Sequence, residues 1–304
     1  MNKATTIIGI GGWEHDILDQ CFYPAKHMDS LRKLAYYSRV FDTVEVRAAF
    51  WDDTLTAEDA QRWIQAVREN RRFTFNVKLH SSFTHKTKLI KPNTSRNIRS
   101  LLHELLKADR LGTLLVQFPY SFTNTSANRF HLVKLAELFA GYPMHVEFRH
   151  DSWNQPSTWE LLQEHSLSPA SIDIPRIKQF MPHVAAAKND HAYLRLHGRN
   201  ENGWLLNGID TRYDYLYNGR ELREILRRVE VLSGKSNHLT IIFNNTTGGK
   251  AVANALQLVS SLREGKHVLI PDATLRTFPH LQEIASVVDT DPTLIGDREY
   301  RRAI

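Results

Sequence analysis

Phe73-Thr74-Phe75-Asn76-Val77-Lys78-Leu79-His80 alternates without a break: large apolar residues fill one parity, and threonine, asparagine, lysine and histidine fill the other. Successive side chains of a strand point to opposite faces, so this segment predicts a strand with one apolar and one polar face. The apolar face must meet a covering layer of helices. The polar set Thr74, Asn76, Lys78 and His80 then faces the inside of a closed sheet.

Seven further runs rich in β-branched or aromatic residues have strand length: Thr6–Ile10, Thr43–Val46, Thr113–Gln117, His145–Phe148, Ser168–Ile172, Ala192–Leu196 and Thr240–Phe243. Between most of them lie helical stripes such as Ala60/Trp63/Ile64/Val67, Ile98/Leu101/Leu102/Leu105, Leu132/Leu135/Ala136/Phe139, Leu222/Ile225/Leu226/Val229 and Val252/Ala255/Leu256/Val259. Two weaker helices are expected to begin near Ser30 and Ser157, where a hydroxyl could cap the first amides. One crossover, Ile174–Ala187, contains Pro175 and Pro182 and is expected to be short or to lack its helix. The pattern predicts the α/β class and a (β/α)8 TIM-type barrel. A doubly wound open sheet is second, because Gly9, Gly11 and Gly12 lack the G-x-G-x-x-G spacing. The barrel is assigned to residues 1–264, and residues 265–304, with a basic end at Arg298, Arg301 and Arg302, form a C-terminal extension packing on or trailing from it.

Hydrophobic residues at 42% and charged residues at 24% exclude a disordered, collagen-like or coiled-coil chain. No apolar run approaches the roughly 18 residues a membrane helix needs, and Met1 to Ile10 has no signal-peptide core. The single cysteine, Cys21, forms no internal disulfide and is read as a buried apolar residue, so a cytoplasmic protein without membrane partners is expected. A formal charge of +6 leans toward anionic partners, either a small molecule or nucleic acid.

Strand parity directs Thr43, Glu45 and Arg47 inward, then Thr113, Leu115 and Gln117, then His145, Glu147 and Arg149. Tyr193, Arg195 and His197 follow, and Thr240, Ile242 and Asn244 after them. Polarity rises toward the C-terminal strand ends, where barrel active sites are assembled. Lys78, Arg149 and Arg195 offer a cationic floor for a carboxylate, sulfate or phosphate. Glu147 is the candidate general acid or base, and His197 a second proton-exchanging group. Asn244-Asn245-Thr246-Thr247-Gly248-Gly249 reads either as anion-holding donors or as a turn. Beside all of this stands the bland alternative of a buried ion-pair network whose charges only satisfy one another.

No Cys pair, H-E-x-x-H or G-x-S-x-G is present, so zinc-site and serine-hydrolase chemistries lack support. No cofactor is implied. A divalent metal stays open, since Glu45, His80, Glu147, Asp173 and His197 sit at strand ends, although the basic residues of the same mouth repel cations.

The chain resembles the DUF72 (YecE-like) family from about Ile8 to Leu258. The motifs are Gly12-Trp13, Tyr23-Pro24, Phe41-Asp42-Thr43-Val44-Glu45, Lys78 followed by Thr84-His85, and Gln117-Phe118-Pro119. They continue through Glu147-Phe148-Arg149-His150 with Trp153, Arg195-Leu196-His197-Gly198-Arg199, and Phe243-Asn244-Asn245 leading to Asn254-Ala255. The resemblance implies a barrel, and it adds His85 to the ligand set without fixing a reaction. Arg47-Ala48-Ala49-Phe50-Trp51 departs from the family pattern, with Arg47 adding a positive charge.

The expectation is an enzyme, of hydrolase or lyase type, using acid/base chemistry on an anionic substrate, phosphate-bearing compounds included. Glu147 and His197 exchange protons and Glu45 assists. Lys78, His85, Gln117, Arg149, Arg195, Asn244 and Asn245 bind the substrate. Two other readings compete. One is a metal-assisted nuclease or phosphodiesterase with Trp51 and Trp204 as exposed stacking surfaces; the other is a non-catalytic anion or nucleic-acid binding module.

Overall fold

In the computed structural model, which describes residues 4–85, 92–185, 187, 190–206 and 209–287, eight parallel strands close into a barrel in sequence order. They are β1 (Thr5–Gly11), β2 (Thr43–Val46), β3 (Thr74–Lys78), β4 (Leu111–Gln117), β5 (Met144–Glu147), β6 (Ser168–Asp173), β7 (His191–Leu196) and β8 (His238–Phe243). β8 returns to β1 with Gly9 opposite Ile242, which closes the cylinder and leaves no edge among these strands.

The alternation of β3 is realised as read. Phe73, Phe75, Val77 and Leu79 are fully buried under the helices, with Trp63 of the helix Ala57–Ala66 packed 5.9 Å from Phe75 between ring centroids. Fully burying one such aromatic contributes about 1.5–3 kcal/mol, and the helical stripes repeat this around the barrel. Inside, Leu115, Tyr193 and Ile242 form a small apolar plug with Ala170 against it. Below the plug lies a polar layer in which Asn76 Nδ2 donates to Thr43 Oγ1 at 2.8 Å and Thr113 Oγ1 lies 2.8 Å from His145 Nδ1. Gly9 belongs to this inward parity. A Cβ there would lie 1.9 Å from the Thr43 carbonyl oxygen, so only glycine permits β1 and β2 to approach this closely.

The cover is made by the helices Ser30–Tyr37, Ala57–Ala66, Pro92–Lys107, Ser126–Leu138, Pro156–Glu164, Gly219–Ser233 and Lys250–Leu262. Ala57–Ala66 and Gly219–Ser233 begin with capping boxes, Thr56 with Asp59 and Asn218 with Glu221. The two weaker helices begin where expected, at Ser30 and Pro156, but neither is capped by the expected hydroxyl. Asp29 caps the first through Arg32 N at 2.9 Å, because Ser30 Oγ turns to Glu14 and the Trp13 indole. Pro156 opens the second, placing Ser157 within its first turn. Between β6 and β7 the described residues contain no helix, and the crossover passes through turns and a bridge between His150 and Phe180.

After the barrel, β9 (Val268–Ile270) and β10 (Ala285–Val287) pair in parallel around the helix Asp272–Thr277. Val268, Ile270, Phe278 and Leu281 join the core, and Thr274 Oγ1 donates to the Cys21 carbonyl at 2.7 Å. Cys21 is buried, and burial pushes its thiol up to about 11. The basic end at Arg298, Arg301 and Arg302 lies outside the described residues.

Candidate functional site

The last inward residues of β2, β5 and β7 meet at the C-terminal mouth. Arg195 occupies the centre. Its Nε donates to Glu45 Oε2 at 2.8 Å and its Nη2 to Glu45 Oε1 at 2.7 Å, while its Nη1 bonds Glu147 Oε2. One planar fork thus joins two carboxylates that are both fully buried. Tyr193 adds a hydroxyl to Glu45 Oε2 at 3.2 Å. Arg149, two residues past Glu147 on the same parity, sets its Nε 2.6 Å from Glu147 Oε1.

His197 completes this layer. Its Nδ1 lies 3.0 Å from Asn244 Nδ2, and its Nε2 lies 3.3 Å from Arg149 Nη2, Arg195 Nη1 and Glu147 Oε1. Burial, together with the positive charge of Arg149, lowers its pKa to about 3, so the ring is neutral at physiological pH. Burial opposes ionisation of Glu147, but Arg149 and Arg195 overcome it and hold the carboxyl well below the ordinary range. Both guanidinium groups touch the carboxylate directly.

An aromatic cap lies over this layer. Trp204, on the short helix Glu201–Leu205, sits 4.8 Å from Arg149 Cζ and 4.9 Å from Arg212 Cζ, measured to the ring centroid, with Phe180 at 5.7 Å. It is 6% exposed, so the expectation of an exposed Trp204 is corrected: cation–π packing on two arginines holds it inward. Trp51 is 73% exposed, as a free stacking surface would be.

Outside the cap the rim is basic. Lys78, the last residue of β3, places Nζ 3.7 Å from the Phe50 ring centroid and has no carboxylate at ion-pair distance among the described residues. Burial and the charge of Arg195 lower its pKa to about 7. Arg47 is likewise without a carboxylate partner among the described residues, and its Nη1 lies 3.1 Å from His15 Nε2. Burial lowers the pKa of Arg47, and burial with the charge of Arg47 lowers that of His15. His85 is exposed beside them, its ring 5.0 Å from that of Phe50. Burial of the imidazole face and the charges of Lys78 and Arg149 bring it to about 4. Four basic side chains, Arg47, Lys78, Arg149 and Arg195, therefore answer two carboxylates, Glu45 and Glu147.

The structure brings Glu45, Glu147, Arg149, Arg195, His197 and Asn244 into contact, with Lys78 and His85 alongside. Gln117 and Asn245 lie at strand ends but are engaged elsewhere. Gln117 Nε2 donates to the Phe118 carbonyl at 2.6 Å, and Asn245 Nδ2 to Tyr215 O at 2.8 Å and Asn254 Oδ1 at 2.9 Å. The Asn244–Gly249 run is a turn, with positive φ at Gly248 (66°) and Gly249 (74°) before the helix Lys250–Leu262. Sequence reasoning named Trp204 only as an exposed stacking surface and gave Phe50 no role beyond its place in the Arg47–Trp51 departure from the family pattern.

Asp173 belongs to a second cluster. Arg199 grips it with Nε and Nη2, both at 2.8 Å, and Arg228 Nη1 lies at 2.7 Å and the Tyr217 hydroxyl at 2.9 Å. Ala170 faces the interior plug, so Asp173, three residues later, faces the helices, where it ties Gly219–Ser233 to β6. Among the described residues no three His, Cys, Asp or Glu side chains are grouped to hold a metal ion. Two open clefts of about 580 and 520 Å³ lie on the barrel flank. Leu31, Arg32, Glu58 and Arg62 line the first, and Met28, Tyr36, Arg39 and Arg276 the second; neither reaches the mouth.

A family model described as protein of unknown function DUF72 matches residues 7–279. Over 272 residues the chain is 29% identical to the UPF0759 protein YunF of Bacillus subtilis, spanning 84% of this chain and 94% of YunF. The crystal structure of a DUF72 family protein from Thermotoga maritima shares 31% identity, covers 85% of this chain and 99% of its own, and superposes with a TM-score of 0.74. A DUF72 family protein from Enterococcus faecalis gives 27% identity, 88% and 99% coverage, and a TM-score of 0.74.

Proposed function

The chain belongs to the DUF72 family, and we propose that the C-terminal mouth of its barrel is the active site of an enzyme that binds an anionic small molecule and transforms it by acid/base chemistry. One observation carries the reading: among the described residues Arg47 and Lys78 stand at the rim without carboxylate partners, next to a carboxylate pair already ion-paired to Arg195 and Arg149. Clustered cations cost free energy through mutual repulsion, and a bound anion removes that cost. A fold built only for stability gains little from such a layer compared with apolar filling.

In this proposal Arg47 and Lys78 contact the anion, with Arg149 and Arg195 supplying field from beneath. Glu45 and Glu147 hold the two arginine forks. The neutral His197, 3.3 Å from Glu147 Oε1, is the buried group that exchanges a proton. At the rim, Lys78 and His85 exchange protons with the substrate. The engagement of Glu45 and Glu147 by arginine favours this over metal-assisted phosphodiester cleavage, which needs carboxylates open to a cation. Among the described residues no helix is long and apolar enough to cross a membrane. A cytoplasmic site of action belongs to the same proposal.

Calorimetric titration with inorganic phosphate, pyrophosphate and small dicarboxylates tests the reading. Binding that weakens at least about tenfold in Arg47→Met and in Lys78→Met, while Arg32→Ala on the flank leaves it unchanged, supports it. Equal affinity in all variants, or no binding by any of these anions, would remove it.

A further inference from the structure

Resting on that anion-site reading, we infer that Lys78 is a nucleophilic amine that condenses with the carbonyl group of an anionic substrate, such as an oxo acid or a phosphate-bearing aldehyde or ketone, to form an imine. The geometry is unlike that of a lysine serving only as a counter-charge. Among the described residues no carboxylate pairs with Nζ, since those of Glu45 and Glu147 are taken by Arg195 and Arg149; the Phe50 ring at 3.7 Å fixes where the amine sits and by itself favours the ammonium, against burial and the neighbouring arginines. The charged neighbours that bear on the amine without touching it are Arg195 and Arg47, which disfavour the ammonium, and Glu45 and Glu147, which favour it less strongly than burial opposes it. A desolvated lysine beside other cations is the usual arrangement for raising the free-amine fraction at neutral pH. Its pKa of about 7 agrees with that placement. Lys78 also retains partial exposure at a strand end, so a substrate can reach it.

The step balances without an oxidant or reductant. The nitrogen lone pair forms the C–N bond, and the proton lost from nitrogen goes to the carbonyl oxygen, giving a carbinolamine. That hydroxyl takes one more proton and leaves as water, and the C–N bond becomes a protonated imine. His85 is placed to carry these protons: its imidazole is neutral near pH 7 and lies beside the same Phe50 ring. Arg47 holds the substrate's anionic group while Lys78 attacks. The chemistry identifies the substrate class as a compound with both a carbonyl and a negative charge.

The test is reductive trapping on the full chain with cyanoborohydride, using glyoxylate as an anionic aldehyde and formaldehyde as an uncharged one, with peptide mapping of every lysine. Lys78 should be modified at least about tenfold faster than the exposed Lys26 and Lys107 at neutral pH, because burial and the neighbouring arginines raise its free-amine fraction. Its rate should rise through pH 7, and inorganic phosphate should protect it from glyoxylate. Lys78→Arg, which keeps the charge, should lose this label while retaining its circular dichroism spectrum and melting temperature. Slow labelling of Lys78 by both aldehydes in a protein that still binds phosphate would overturn the imine assignment alone. Fast labelling by formaldehyde with no advantage for glyoxylate and no phosphate protection would overturn the anion site and leave the amine assigned.

Discussion

Lowering the pH to about 5 should destabilise this barrel through its buried histidines. His145 and His197 are 2% and 0% exposed, and burial lowers both to about 3. Their rings are neutral in the folded protein, whereas the unfolded chain protonates them near the reference value of about 6.5. A folded value below the unfolded one means that the unfolded state binds more protons. The histidine contribution is therefore flat above pH 6.5 and turns increasingly unfavourable as pH falls from there toward 3. At pH 5 the gap from the unfolded value is about 1.5 units, so each ring costs about 2 kcal/mol at roughly 1.36 kcal/mol per unit. Two rings cost about 4 kcal/mol, a large part of the 5–15 kcal/mol typical of a domain. His191, lowered by burial to about 4 beside His145, acts in the same direction and makes that figure a floor. Glu147 does not enter this window, because its folded value lies well below the carboxylate range. The assay is urea unfolding followed by circular dichroism at about pH 7.5 and about pH 5. It is run on the natural chain and on His145→Gln, which keeps a polar side chain near Thr113 and removes the titrating ring. The natural chain should lose at least about 4 kcal/mol and the variant about 2 kcal/mol less. Equal stability at the two pH values, or an unchanged loss in the variant, would refute the reasoning.

Replacing Arg195 by Met leaves Glu45 and Glu147 buried without their shared fork. It should cost about 3–5 kcal/mol in urea unfolding, and a second change, Glu45→Gln, should recover part of that. Losses under about 1 kcal/mol would show that the layer is not held as described. Binding of an anion beside Lys78 favours its ammonium and raises a pKa that stands at about 7, so phosphate binding should take up protons when measured just above pH 7. Calorimetry in buffers of different ionisation enthalpy reads that uptake. A heat independent of buffer would separate Lys78 from the bound anion.

The barrel was legible because strand parity is a local property with a period of two. Once Phe73–Leu79 is set against the helices, Lys78 and His80 have nowhere to face but inward, and the same count placed Glu45, Glu147 and Arg195 on one rim. Parity does not give distance. It put Glu147 and two arginines in the same mouth, but only their contacts show that the carboxyl is held ionised rather than poised near neutrality. Asp173 counted as a strand-end acid in the sequence, yet it faces outward to Arg199 and Arg228, and Arg228 comes from a helix 55 residues later. Such long-range pairing leaves no periodic trace. Trp204 read as exposed because its surroundings lie between regular elements, where no pattern marks what packs against it; Arg149 and Arg212, which hold its ring inward, come from separate parts of the chain. Lys78 looked like a plain cation until the turn Ala48–Phe50 set an aromatic ring, rather than a carboxylate, against its amine.

An anion is expected to seat at the barrel rim, against Arg47 and Lys78. Crystals soaked in selenate or tungstate and measured at the absorption edge should show the strongest anomalous peak at the barrel rim, in contact with Arg47 and Lys78. That peak should vanish in the Arg47→Met, Lys78→Met double variant. Peaks only at the flank clefts beside Arg32 or Arg276, with the rim empty, would contradict it.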